Sequence, residues 1–144
     1  MPDFRCYFVT GTADSPADIV RIAAAAARGG AGVVQVRSKP ISARELYLLG
    51  RDVARAVAAA NPATRVLIDD RVDVALALRH DGEPVHGVHL GQDDLPVEQA
   101  RALLGPDAII GLTTGTRELV EGANDVADFI DYLSLIHISE PTRQ

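Results

Sequence analysis

The chain has 144 residues, of which 47% are hydrophobic and 24% charged, and its formal net charge is −6 at pH 7. This composition is ordinary for a soluble globular domain with its own core. The acidic balance gives no indication of a nucleic-acid or membrane-surface partner, and no apolar run reaches the ~20 residues of a membrane span. Cys6 is the single cysteine, and no signal-peptide pattern opens the chain, so a cytoplasmic location is expected.

Short apolar, β-prone runs alternate with helical patterns along the chain. Strands are predicted at residues 6–10, 33–36, 66–68, 88–90, 109–112 and 129–133, and helices at 16–28, 43–60, 72–78, 96–104 and 117–122. Ser15 and Ser42 are predicted to cap the first two helices. The pattern is five strand–helix units and the start of a sixth, at intervals of roughly 20–25 residues.

Strands that are apolar on both faces and separated by helices predict a parallel sheet. A doubly wound open sheet and a barrel both fit that order. No G-x-G-x-x-G follows the first strand, and polar residues follow many strands rather than one switch point, which favours the barrel. The predicted fold is therefore α/β, a (β/α)8 TIM barrel truncated to about five and a half units, since a full barrel needs ~250 residues.

Gln35, Arg37 and Lys39 are spaced by two at the end of the second predicted strand. Side chains alternate in an extended segment, so all three are expected on one side. An amide and two cations that converge in this way suit a diphosphate, because arginine binds it bidentately and lysine as a mobile point charge. A solvated strand edge is the alternative interpretation.

Two pairs of carboxylates follow the third and fourth predicted strands, Asp69 with Asp70 and Asp93 with Asp94. Neighbouring strands of a barrel would bring them within reach of one hard cation. Mg²⁺ takes one or two carboxylates together with substrate phosphate oxygens. The alternatives are helix N-capping by Asp70 and a first-turn role at the helix dipole for Asp94.

Other polar residues carry weaker signals. His89 lies within a predicted strand, where a lone histidine is more often structural, and His80 and His86 precede it in a segment expected to be solvated. Thr113 and Thr114 end the fifth predicted strand, where they could meet a substrate or cap the next helix.

The last twelve residues depart from the pattern, because residues 133–144 lack the alanine and glycine that are frequent before them. They resemble the translation of a sequencing adapter. We therefore expect an incomplete barrel domain at 1–132 and a non-native tail at 133–144, with a natural divergent tail as the alternative.

Four motifs in order resemble the thiamine-phosphate synthase (thiamine-phosphate pyrophosphorylase) family of thiamine biosynthesis. Q-V-R-S-K at residues 35–39 is similar to its Q-x-R-x-K, and L-I-D-D at 67–70 to its I-N-D segment. V-H-L-G-Q-D-D at 88–94 is similar to its H-x-G-Q-x-D, and Gly111-Leu112-Thr113 to its G-x-S/T. The resemblance implies a TIM barrel and a transferase that joins hydroxymethylpyrimidine diphosphate to thiazole phosphate, releasing pyrophosphate.

The resemblance also implies residue roles. Gln35, Arg37 and Lys39 would grip the diphosphate, with Arg37 and Lys39 catalytic because they neutralise the departing pyrophosphate. Asp70 and Asp94 would bind the Mg²⁺ cofactor.

Further implied substrate-binding residues are His89 and Thr113, which would lie along the substrates, and Asp69, which occupies the position of the family's asparagine. This exchange places a charge where an amide usually meets the diphosphate. The metal or nearby cations could tolerate that charge, or it could weaken binding.

The family's G-x-G-P segment, a lysine and later phosphate loops have no counterpart here, so we expect this fragment to be inactive or nearly so. The partners expected are small-molecule substrates, with a homo-oligomer left open. The alternatives are a thiazole tautomerase-like isomerase, against which Asp70 and Asp94 argue, and a non-catalytic truncated fragment.

Overall fold

The structure, a computed structural model, describes residues 2–11, 15–38 and 41–135. Its strands are β1 (Tyr7–Val9), β2 (Val33–Val36), β3 (Arg65–Asp69), β4 (Gly87–Leu90), β5 (Ile109–Thr114) and β6 (Tyr132–Leu135). Its helices are α1 (Pro16–Arg28), α2 (Ala43–Ala60), α3 (Val72–His80), α4 (Val97–Leu104) and α5 (Arg117–Gly122), and a 3-10 helix spans Ala123–Phe129.

The six strands form one parallel sheet in the order β1-β2-β3-β4-β5-β6. Each strand pairs with the next strand of the chain, without the reversal of order that a doubly wound sheet has. The sheet curls, since the side chains of Tyr7 on β1 and Tyr132 on β6 meet across its inner face. The predicted parallel α/β architecture is confirmed as a half-barrel. No helix in the described part of the chain is both long and apolar enough to cross a membrane.

Local signals start the first two helices as predicted. The hydroxyl of Ser15 accepts a hydrogen bond from the backbone N–H of Asp18, three residues into α1. Ser42 forms a capping box with Glu45, in which each side chain bonds to the other residue's backbone N–H. Such caps satisfy N–H groups that the first helical turn cannot pair, and each contributes about 1 kcal/mol.

The sixth strand lies later than predicted, at Tyr132–Leu135 rather than 129–133. The register is set by Asp131, whose N–H donates to the Ile110 carbonyl at 2.7 Å and whose Oδ2 accepts from the Ile110 N–H at 2.8 Å. Arg101 donates to the same Oδ2 at 2.9 Å and to the Phe129 carbonyl at 3.3 Å. Residues 133–135 of the expected non-native tail therefore belong to β6, and 136–144 lie outside the described residues.

The sheet has two faces with different contents. Its outer face packs against the helices in the large core, which includes Val34, Ile68 and Ile110. Its inner face holds a smaller apolar group of Val33, Leu67 and Ile109 beneath Phe4, Tyr7 and Tyr132. Because side chains alternate along each strand, the polar residues two positions beyond this apolar layer also face inward. That alternation positions the candidate site.

Candidate functional site

A cavity of about 660 Å³ opens on the inner face, above the apolar layer. Its walls come from the N-terminal segment, from β1, β2, β5 and β6, and from the ends of β3 and β4. They consist of Phe4, Tyr7, Val9, Gln35, Arg37, Asp69, Asp70, His89, Gly91, Thr113, Tyr132, Leu133 and Ser134. Six predicted site residues are among them: Gln35, Arg37, Asp69, Asp70, His89 and Thr113.

Strand register brings residues distant in sequence into one row. Asp69 on β3 is paired with His89 on β4, His89 with Gly111 on β5, and Gly111 with Tyr132 on β6. Gly111 is required here, because a Cβ atom at this position would lie 2.1 Å from the Tyr132 Cζ atom. The absence of a side chain therefore lets Tyr132 reach across the row toward β1 and β4.

Gln35 and Arg37 occupy different levels of the cavity. Gln35 is 5% exposed, and its Nε2 donates to the Tyr7 hydroxyl at 2.8 Å. The solvated-edge interpretation is wrong, since β2 lies between β1 and β3. The Arg37 side chain is 54% exposed, which leaves its guanidinium accessible to a ligand. Lys39, the third member of this predicted group, lies outside the described residues.

Asp69 is buried, at 7% exposure, and Arg37 lies close to it. The Arg37 Nε lies 3.5 Å from the Asp69 Oδ2. Asp69 stands at the end of β3, so its carboxylate belongs to the cavity wall rather than to the helix that follows. The charge introduced at this position therefore has a compensating cation in the same cavity.

The two predicted metal ligands lie in neighbouring cavities. Asp70 lines the main cavity, whereas Asp94 lines a smaller one of about 250 Å³, and Gly91 borders both. Asp94 Oδ2 accepts a hydrogen bond from the Gly91 N–H at 2.6 Å. Within the described ranges no three or more His, Cys, Asp or Glu side chains form a metal-binding group. Mg²⁺ often uses one or two protein carboxylates only, so a pair is a suitable donor set.

The helix-related alternatives for the aspartates are wrong. The N-cap residue of α3 is Arg71, and no side chain caps that helix. Helix α4 begins at Val97 after the N-cap Pro96, so Asp94 lies before the first turn. Asp70 has φ of 68°, the one positive value at a non-glycine residue in the described ranges. Such backbone is uncommon outside glycine and occurs frequently at functional sites.

His89 is the centre of a hydrogen-bonded group on the inner face. It is 4% exposed, with Nδ1 at 2.7 Å from the Tyr132 hydroxyl and Nε2 at 2.6 Å from the Thr113 hydroxyl. Burial lowers the pKa of His89 to about 4; the Asp94 charge opposes this shift and the Arg37 charge adds to it. The ring is therefore neutral at physiological pH.

Tyr7 and Tyr132 are site residues for which no role was predicted. Their hydroxyls form a hydrogen bond with each other, and burial raises the pKa of both phenols. The Phe4 and Tyr132 ring centroids lie 4.9 Å apart, which closes the floor of the cavity. Tyr7 and Val9 are two positions apart on β1 and both line the cavity, but no local sequence signal indicates that Tyr7 meets a residue 125 positions away.

His86 is not solvated as expected. Its Nδ1 accepts a hydrogen bond from the Val66 N–H at 2.9 Å, which joins the start of β4 to β3. Burial, followed by the charges of Arg65 and Arg79, lowers its pKa to about 4. His86 is a structural residue at the opposite end of the sheet from the cavity, and His80 is the last residue of α3.

Comparisons with known proteins agree with this geometry. The family model described as thiamine monophosphate synthase matches residues 6–143. The thiamine-phosphate synthase of Corynebacterium efficiens is 64% identical over 132 residues, which cover 92% of this chain and 59% of that protein. The corresponding enzyme of Corynebacterium jeikeium is 65% identical over 131 residues, with 91% and 59% covered.

A solved structure gives the same result. The thiamine phosphate pyrophosphorylase from Pyrococcus furiosus aligns with a TM-score of 0.73 and 30% identity, over 92% of this chain and 59% of that one. The chain thus spans 59% of the length of these relatives. The family model covers most of the chain, and the half-barrel carries polar groups at its mouth. The chain belongs to the thiamine monophosphate synthase family.

Proposed function

We propose that this chain is the part of a thiamine-phosphate synthase that binds hydroxymethylpyrimidine diphosphate. The reaction is a Mg²⁺-dependent condensation with thiazole phosphate that yields thiamine phosphate and pyrophosphate. The observation that carries the proposal is one cavity lined by buried Gln35, by half-exposed Arg37 and by Asp70 at the mouth. This combination offers an amide, a bidentate cation and a carboxylate to a diphosphate ester and its metal.

Arg37 and Lys39 are proposed to bind the diphosphate. A guanidinium presents parallel N–H donors that match two phosphate oxygens, and the exposure of Arg37 leaves room for them. Lys39 follows two residues later, and an ammonium there would act as a second positive charge. As the bond from the pyrimidine methylene carbon to the diphosphate oxygen breaks, the bonding pair leaves with pyrophosphate. The cations would stabilise that negative charge.

Asp70 and Asp94 are proposed to hold Mg²⁺. They fit by their chemistry, as hard carboxylate oxygens after adjacent strands, and by the backbone of Asp70, which is held in an unusual conformation at the cavity. Bound Mg²⁺ supplies further neutralisation of the diphosphate oxygens. The Gly91 N–H fixes one oxygen of Asp94, and the other remains as a candidate ligand.

His89 and Thr113 are proposed to lie along the substrates, and Asp69 is proposed to lie at the diphosphate beside Arg37. His89 and Thr113 lie on one wall of the cavity, and Asp69 lies at its end beside Arg37. The apolar and aromatic floor would keep water from the methylene carbon while the thiazole nitrogen forms its bond to that carbon. No protein nucleophile is needed in this scheme, which agrees with the exposed position of Cys6 away from the cavity lining.

The proposal includes a closed (β/α)8 barrel for the whole protein, because the described residues supply six strands of one curled sheet. Assayed alone, the 144-residue chain is proposed to turn over slowly or not at all. A cytoplasmic location is part of the proposal, since its substrates are charged phosphate esters.

A chimera tests the function directly. The matched 132-residue segment of the Corynebacterium efficiens enzyme is replaced by the segment of this chain, at 64% identity. Formation of thiamine phosphate from the two substrates is then measured with and without Mg²⁺. Activity that falls at least tenfold in an Arg37→Ala chimera, with Arg21→Ala as the matched surface control, supports the proposal. A folded chimera without activity contradicts it.

A further inference from the structure

Hydrogen bonds run across the inner face from β2 to β5 without a break. Gln35 Nε2 bonds the Tyr7 hydroxyl at 2.8 Å, and the Tyr7 hydroxyl bonds that of Tyr132. The Tyr132 hydroxyl lies 2.7 Å from His89 Nδ1, and His89 Nε2 lies 2.6 Å from the Thr113 hydroxyl. Each hydroxyl has one proton to donate, so the direction of donation along this row can be derived by counting protons.

The first bond sets the direction. The amide N–H of Gln35 donates to Tyr7, so the Tyr7 oxygen already accepts one hydrogen bond. If Tyr7 donates to Tyr132, the proton of Tyr132 is available for His89 Nδ1, and both phenol protons are used. In the opposite direction, the Tyr7 oxygen would accept two bonds while its own proton had no acceptor within the described ranges. A phenol proton stays near the ring plane, which makes that arrangement costly.

The same count determines the tautomer of His89. If Nδ1 accepts from Tyr132, the ring proton of the neutral imidazole is on Nε2 and donates to the Thr113 oxygen. The Thr113 proton then has no acceptor in the part of the chain that the structure describes. Thr113 lines the cavity, and its hydroxyl can rotate toward a ligand.

We propose that Tyr132 is a positioning residue that holds His89 in the Nε2–H tautomer, so that Thr113 donates its hydroxyl proton into the cavity. The ligand recognised there has a hydrogen-bond acceptor, such as a ring nitrogen or a phosphate oxygen, at that wall. The identity of the ligand rests on the function proposed above, whereas the tautomer does not.

The tautomer is measured by long-range ¹H–¹⁵N correlation NMR on the 144-residue chain near pH 7, with His→Gln variants for assignment. His89 is expected in the Nε2–H form. His86 is an internal reference, because its Nδ1 accepts a backbone N–H and its proton must also be on Nε2. An Nδ1–H or doubly protonated His89 overturns the proposal.

Removing single hydroxyls distinguishes the role of Tyr132 from that of Tyr7. Tyr132→Phe is expected to give a mixture of His89 tautomers. Tyr7→Phe is expected to keep the Nε2–H form, because Tyr132 can still donate. Tyr47→Phe is the matched control, since its hydroxyl bonds Asp81 on the helical surface. A His89 spectrum that is unchanged in Tyr132→Phe overturns the role of Tyr132.

Binding of hydroxymethylpyrimidine diphosphate with Mg²⁺ tests whether Thr113 donates a hydrogen bond to the ligand. Tyr132→Phe and Thr113→Val are each expected to weaken binding roughly 2- to 10-fold, the value of one hydrogen bond. The double variant should bind about as well as Thr113→Val alone, because Tyr132 acts through Thr113. Additive losses overturn the proposal. A wild-type chain that binds no diphosphate ester contradicts the proposed function, and the tautomer measurement still decides this inference.

Discussion

The Nε atom of Arg37 lies 3.5 Å from Oδ2 of Asp69, so an exposed cation that lines the cavity faces a buried carboxylate. The two side chains are 54% and 7% exposed, respectively. The diphosphate proposed as ligand would therefore share Arg37 with Asp69 and would approach a negative charge at short range. By the motif resemblance, Asp69 takes the place of an asparagine, which would present no such charge.

Asp69→Asn is therefore expected to bind diphosphate more tightly than the wild type. The change removes the carboxylate that competes for Arg37 while it keeps the size of the side chain. Because Arg37 is largely exposed, solvent screens the pair, and a gain of about 2- to 5-fold in affinity is expected. Isothermal titration of the chain with hydroxymethylpyrimidine diphosphate and Mg²⁺ measures it.

Asp73→Asn is the matched control for this change, since Asp73 pairs with Arg71 at 2.7 Å on the surface of α3. Its diphosphate affinity should equal that of the wild type. Equal or weaker binding by Asp69→Asn would show that the carboxylate contributes to the site instead of opposing the ligand.

Gly111→Ala is expected to destabilise the fold by about 1–3 kcal/mol, the usual cost of overpacking. A Cβ atom there would lie 2.1 Å from Cζ and 2.4 Å from Oη of Tyr132. The ring must move, and its hydrogen bonds with Tyr7 and His89 would lengthen or break. Urea unfolding measures the loss of stability, and the His89 NMR signals report the displaced hydroxyl.

The control glycine lies at the end of α5. Gly122 has φ of −65°, and nothing lies within 4 Å of an added Cβ. Gly122→Ala should be neutral or stabilising by up to about 1 kcal/mol. If Gly111→Ala were equally neutral, the close approach of Tyr132 to β5 would be wrong.

Much of the fold could be predicted because its signals are local. The spacing of Ser42 and Glu45 identifies a helix start, and α2 has the predicted bounds, residues 43–60. The sixth strand was misplaced because its register depends on Asp131 and Arg101, which act through contacts 21 and 30 residues away. The apolar residues before it pack in a 3-10 helix, and an apolar run alone does not distinguish that from a strand.

The candidate site, too, could be predicted only where its signals are local. Alternation along β2 placed Gln35 and Arg37 on one side, and the shared end of parallel strands placed Asp70 near them. The partnership of Tyr7 with Tyr132 could not be predicted, since it depends on the curl of the whole sheet. The contact of Asp94 with the Gly91 N–H depends on the turn between them, which the motif did not reveal.

Acid is expected to destabilise the fold through His86. Its pKa is about 4 in the folded state, against an ordinary value of about 6.5, because burial and two arginines disfavour the imidazolium. Between pH 6.5 and about 4 the unfolded chain binds a proton that the folded chain does not, so stability falls as the pH falls. His86 changes the free energy of unfolding by at most about 1.4 kcal/mol per pH unit, and above pH 6.5 this contribution to the pH dependence vanishes.

His86→Asn isolates this contribution, since its Oδ1 can accept the Val66 N–H and does not titrate. Urea unfolding from pH 7 to pH 4 should show a smaller slope for His86→Asn than for the wild type. His80→Asn is the matched control for loss of a histidine that has no part in the Val66 bond. Equal slopes in His86→Asn and the wild type would refute the assignment.

Asp70 adopts φ of 68°. This value allows a test that separates the effect of the backbone conformation on stability from the effect of the carboxylate. Asp70→Gly and Asp70→Ala both remove the carboxylate, so contacts of the side chain cancel in their comparison. Glycine adopts this conformation freely, whereas a Cβ costs about 1–2 kcal/mol in the left-handed region. Asp70→Gly should therefore be more stable than Asp70→Ala by about 1 kcal/mol in urea unfolding.

The same pair of substitutions at Asp73, in the first turn of α3, should show the reverse order, because alanine favours a helix over glycine by roughly 0.5–1 kcal/mol. Both Asp70 variants should lose the Mg²⁺ dependence of diphosphate binding, and both Asp73 variants should keep it. Retained Mg²⁺ dependence in a folded Asp70→Gly chain would exclude Asp70 as a metal ligand. The backbone conformation would then serve the cavity wall alone, where the Asp70 N–H donates to the His89 carbonyl at 2.8 Å.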